Sequence, residues 1–88
     1  MNKIKRLILF GFALVGARMD YFKDHAAAAF VYEKDKHFVN VFTWQMSCED
    51  EVPEKSVVLN GYHVAEWSRI GIAYALVSDL APEEANAV

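Results

Sequence analysis

Apolar residues in this chain gather in short runs divided by polar or glycine-bearing breaks, the pattern of a strand-rich fold. His37 to Gln45 (HFVNVFTWQ) is the plainest run. Strand side chains alternate, so Phe38, Asn40, Phe42 and Trp44 share one face and His37, Val39, Val41 and Thr43 the other. Both faces are largely apolar, so both need cover. His25 to Glu33 (HAAAAFVYE) mixes four alanines, good helix formers, with Phe30-Val31-Tyr32, which favour strands. The polar turn Lys34-Asp35-Lys36 follows at once. Cys48 to Lys55 is charged, contains Pro53, and reads as a loop. A strand centred on Val57-Val58-Leu59 comes next, and Asn60-Gly61 is a strong hairpin signal. Tyr62 to Ser68 and Ile72 to Ser78 are two further strands, joined by Arg69-Ile70-Gly71. From Pro82 the tail reads as helix, because proline suits the first helical position and Glu83 and Glu84 suit the helix dipole. These runs predict an α+β fold: mainly an antiparallel β meander of about five strands, Leu14–Phe22 the first, with a short C-terminal helix. There is no internal repeat and no low-complexity tract.

The N-terminal end supports two readings. Lys3, Lys5 and Arg6 precede the apolar run Leu7–Ala17, and Val15 and Ala17 are small enough for signal peptidase, which is an export-signal pattern. A buried strand bounded by charges fits equally well. The run is too short for a transmembrane helix, which needs about 20 apolar residues. Residues 1–10 fit either an extra strand or a helix laid on one sheet face.

Composition narrows the class. The chain has 88 residues, of which 55% are hydrophobic and 14% aromatic. That makes one small domain, 1–88, too apolar to be a disordered tail. Surplus apolar surface on so small a domain often ends at a partner. The formal charge is -3, and no Lys/Arg stripe accompanies the aromatics, so no nucleic-acid partner is expected. Cys48 is the sole cysteine, which excludes an intrachain disulfide and a zinc site built on paired cysteines. The acidic cluster Glu49-Asp50-Glu51 lacks the spacing of a calcium loop.

Candidate chemistry is sparse. His25, His37 and His63, with Met46 and Cys48, are the residue types of a soft-metal site, His37 and His63 foremost. They do not stand at ligand spacing, so only the fold can gather them, and a structural role is the ordinary one for such histidines. Cys48, His63 and Asp79 supply the types for nucleophilic catalysis, but no nucleophile elbow, phosphate loop or carboxylate pair surrounds them. No enzyme and no cofactor are expected. Aromatics serve cores first and interfaces second. On that ground Trp44, Tyr62, Trp67 and Tyr74 are candidate partner contacts.

The order of motifs adds a resemblance. Leu14-Val15-Gly16-Ala17-Arg18-Met19-Asp20-Tyr21 is followed by Ala28-Ala29-Phe30-Val31-Tyr32 and by His37-Phe38-Val39-Asn40-Val41-Phe42-Thr43-Trp44. Gly61-Tyr62-His63-Val64, Trp67, Gly71, Tyr74 and Ala75-Leu76-Val77-Ser78-Asp79-Leu80 complete the series. In this the chain, over roughly residues 12–84, resembles the extracytoplasmic part of membrane-anchored anti-sigma factors of the transmembrane zinc-finger type. The resemblance implies a non-enzymatic signal-input domain on the extracytoplasmic, periplasmic side of the inner membrane, controlling sigma-factor release and transcription. It implies a protein partner or a homodimer, with the sigma factor engaged only through parts this chain lacks. The departures are Ala17 for a usual Gly, Gln45 for Pro, Ala75 for Trp and Ala81 for a capping Asn. A small exported stand-alone protein binding a metal or a peptide is the alternative.

Overall fold

The structure, a computed structural model, describes residues 3–46 and 51–79. Helix α1 (Lys3–Leu9) precedes β1 (Ala13–Phe22), β2 (His25–Lys34), β3 (His37–Gln45), β4 (Val52–Leu59), β5 (Tyr62–Arg69) and β6 (Ile72–Ser78). The strands form one antiparallel sheet in the order β1-β2-β3-β6-β5-β4. The expectation of a mainly antiparallel sheet holds, but the count is six. The strand centred on Val57-Val58-Leu59 is β4, and it starts earlier than expected, at Val52, inside the stretch read as a loop. The helix expected from Pro82 lies outside the described residues; the helix observed is N-terminal. The run Leu7–Ala17 is neither a single strand nor a single helix, since α1 ends within it and β1 begins at Ala13.

Local chemistry explains that break. Gly11, at φ +95°, takes the left-handed position after α1. Its N–H donates to the Ile8 carbonyl and that of Phe12 to the Leu7 carbonyl, both at 3.0 Å. Glycine accepts this conformation without a Cβ penalty, and the two bonds satisfy carbonyls the helix end would orphan. The same motif brings Leu7 and Phe12 together, and both enter the core. The Lys34 ammonium caps the helix end by donating to the Phe10 carbonyl.

The core lies between α1 and one sheet face. Tyr32, Val39, Val41, Leu76 and Ala65 carry it across four strands, with Ile4, Phe30 and Trp67 packed around them. Full burial of Leu7 contributes about 2 kcal/mol. The four hairpin turns are alike: Lys23-Asp24, Asp35-Lys36, Asn60-Gly61 and Ile70-Gly71 all have positive φ at both central residues. Such type I′ turns match the twist of the strands they join.

The sheet consists of two three-stranded meanders, β1–β3 and β4–β6, joined at β3 and β6. Laying turn Asp35-Lys36 on turn Ile70-Gly71 carries Val41 onto Leu76, and these residues are also ladder partners. A local two-fold axis therefore passes between them. Side chains it relates mostly differ, as with Phe30 and Ala65, so no repeat is visible in the sequence. The same overlay puts His25 and Ala26 on the turn Asn60-Gly61, so in the first meander strand continues where the second already turns, and the β1–β2 tip projects further.

Candidate functional site

That projection builds the most distinctive part of the molecule. On the face away from α1, β3 presents Phe42 and Trp44. Phe42 has Ala29 and Ala75 as ladder neighbours, and Trp44 has Ala73. Small neighbours leave room above the rings, and the β1–β2 tip fills it. Phe22 lies 5.2 Å from Phe42 and 5.6 Å from Trp44 between centroids, and His25 stacks on Trp44 at 4.8 Å. The β2–β3 ladder ends at Ala28↔Thr43 although both strands run further, so the tip leaves the sheet plane and curls over this face. Lys23, at the tip, reaches across β3 and β6 to Glu66 of β5 at 2.9 Å. The alanines of His25–Glu33 that favoured helix by propensity are here spacers under an aromatic roof. Ala75 is fully buried against Phe42, so the tryptophan common at this position in the resembled family has no space.

Beside the stack a pocket of about 220 Å³ opens between Trp44, Met46, Lys55, Glu66, Ser68 and Tyr74. Ser68 Oγ accepts the Val52 N–H at 3.1 Å, pinning the start of β4 to its rim. Glu66 is held by Lys23 and faces Lys55 across the ladder. Trp44 gives the pocket an apolar side and the Lys23–Glu66 pair a polar one.

The partner-contact candidates divide. Trp44, Trp67 and Tyr74 line this pocket, Trp67 stacking on Tyr74 at 5.2 Å and 8°. Trp67 also packs against the core. Tyr62 sits at the other end of β5, half exposed beside the Asn60-Gly61 turn. The metal candidates among the described residues are not brought together. Met46 follows the far end of β3 from His37. His37 Nδ1 stands 3.7 Å from Asp79 at the surface. His63 is buried beside its ladder partner Ser78, and among the described residues His63 Nδ1 and Ser78 Oγ have no hydrogen-bond partner. Cys48 lies outside the described residues. Among the described residues no group of three or more His, Cys, Asp or Glu can hold a metal. Of the residue types for catalysis, His63 is buried, while Asp79, which follows its ladder partner Ser78, is exposed.

One surface escaped the residue-by-residue reading. β1 is an edge strand, and along it Met19 is 77% and Tyr21 73% exposed. On its other face Arg18 Nε donates to Asp20 Oδ2 at 2.9 Å. Asp20 Oδ1 accepts the Tyr21 N–H at 2.8 Å. That backbone hydrogen bond, then the one from Arg18, holds the Asp20 carboxyl below its ordinary range. The alternation of Arg18 and Asp20 with Met19 and Tyr21 is visible in sequence; that the strand lies at an edge is not. No helix among the described residues is long and apolar enough to cross a membrane. No family model, curated protein or solved structure matches the chain.

Proposed function

We propose that the chain is a recognition domain without chemistry of its own, serving as the extracytoplasmic signal-input part of a membrane-anchored anti-sigma system. Binding or release of a protein outside the membrane alters this domain, and the change passes to a cytoplasmic part that holds the sigma factor. The observation that carries the reading is the apolar side of edge strand β1, where Leu14, Met19 and Tyr21 share one face and are all exposed. A monomer gains nothing from apolar side chains at a sheet edge, whereas a partner strand does. The motif order supports the family. Its segments fall in sequence on β1, β2, β3, β5 and β6 of a single sheet.

The DNA upstream of Met1 tests this reading. The expected result is an open frame encoding about 20 apolar residues, preceded by a helical segment with His and Cys ligands. A ribosome-binding site with an in-frame stop just before it contradicts the anti-sigma reading and favours a stand-alone exported binding protein.

A further inference from the structure

We propose that β1 is a self-association strand: two copies pair antiparallel through their β1 edges about a two-fold axis at Met19, extending both sheets into one. The inference stands apart from the anti-sigma reading, since a stand-alone protein and a sensor part are equally able to dimerise.

Symmetry restricts the possibilities first. Two identical edge strands that pair antiparallel are related by an axis normal to the sheet, and residues sharing a face must meet. The axis therefore passes through a residue, and each choice of residue fixes one register. With the axis at Met19, Arg18 stands opposite Asp20 of the second copy and Asp20 opposite its Arg18. Ala17 meets Tyr21, and Met19 meets Met19. Moving the axis to Arg18 sets Asp20 against Gly16, and moving it to Asp20 sets Arg18 against Phe22. Only the Met19 register pairs opposite charges on one face while joining the apolar side chains on the other. Cross-strand pairs of these kinds are what stabilise a sheet.

Backbone direction agrees. The two-residue turn Lys23-Asp24 closes on Phe22↔His25, so the Phe22 polar groups point toward β2. By alternation those of Tyr21, Met19 and Ala17 point outward. The Tyr21 N–H is turned away from β2 to Asp20 Oδ1, which confirms the direction. In the Met19 register these three residues supply about six inter-chain hydrogen bonds. In the single chain Asp20 satisfies one of the outward donors itself; in the pair it turns to Arg18 of the second copy.

The irregularities of the two edges point the same way. The β1 shift is confined to Leu14/Gly16, leaving Gly16 to Phe22 regular and free of proline. β4 has Pro53 and a shift between Val52 and Lys55, the usual guards against pairing. No axis through β4 sets Glu54 against Lys55, because adjacent residues lie on opposite faces.

Sedimentation equilibrium of the chain and three variants tests the proposal. The wild type is expected to dimerise. Arg18→Asp and Asp20→Arg, each folded by circular dichroism, are expected to weaken self-association at least about tenfold, because like charges meet in the shared register. An equimolar mixture of the two is expected to associate as a heterodimer. Both variants lack the intrachain Arg18–Asp20 pair, so rescue in the mixture reports on the inter-chain pair alone. Val57→Lys on β4 is the control and leaves dimerisation unchanged. A wild type still monomeric at about 0.5 mM, single variants that associate like the wild type, a mixture that stays monomeric, or loss of the dimer in Val57→Lys each overturns the proposal.

Discussion

The two meanders share a local axis, a turn type and a core, yet they end differently. In the first, the outer hairpin overshoots, curls over Phe42 and Trp44, and ties itself to Glu66 of the second. In the second, the outer hairpin stops at Asn60-Gly61 and leaves β4 exposed along its whole length. The edges differ as well. β1 is regular and self-complementary over Gly16 to Phe22, while β4 is interrupted by Pro53 and a register shift. On the proposed β1 pairing, strand order alone does not determine where this sheet accepts a partner. Side-chain register and backbone direction at the edge do.

The first test asks whether the two meanders are one cooperative unit. Leu7 is fully buried in a core drawn from both. Leu7→Ala is expected to cost about 3 kcal/mol in one transition, through lost transfer energy and the cavity left behind. Trp44 reports on the first meander and Trp67 on the second. Denaturant unfolding of single-tryptophan variants checks this, and two separated midpoints would show the halves to be independent.

A second change removes a difference between the halves. Turn Asn60-Gly61 has the residues its conformation favours, while Ile70-Gly71 puts a β-branched residue at φ +51°. Ile70 is 70% exposed, so packing does not compensate. Ile70→Asn is expected to stabilise the domain by about 1 kcal/mol, read from thermal or urea unfolding. A loss of stability would mean that Ile70 makes a contact elsewhere.

The smallest effect concerns Asp20. Its folded-state pKa is depressed by the Tyr21 N–H and then by Arg18. Its contribution is therefore present above the unfolded-state pKa and is lost as pH falls through the lower folded value. Asp20→Asn is expected to be slightly less stable than the wild type near neutral pH. The gap should close below the ordinary aspartate value of 3.8. Paired urea titrations at several pH values check the sign.

Much of the sheet was legible. β3 stood out by β-branched and aromatic density, and Asn60-Gly61 by turn chemistry. The centre of β4 was visible in Val57-Val58-Leu59, but its start was hidden because Pro53-Glu54-Lys55 has the composition of a loop, and an edge strand exposed throughout carries no apolar period. α1 spans only Lys3–Leu9, too short to show a helical stripe that would distinguish it from a strand. Gly11 followed by Phe12 was the available sign of its end. The aromatic roof was not legible, since it depends on which alanines fall beside Phe42 and Trp44. The β1 edge needed strand order, and strand order here depends on the long-range pairing of β3 with β6.

The most direct measurement of the contrast between edges is backbone amide hydrogen exchange at two protein concentrations. The amides of Ala17, Met19 and Tyr21 point outward from β1. Those of Ser56 and Val58 point outward from β4 by the same alternation from Leu59↔Tyr62. The account predicts that exchange at Met19 and Tyr21 slows as concentration rises, while exchange at Ser56 and Val58 stays the same. Slowing at β4 alone, or no concentration dependence at either edge, would contradict it.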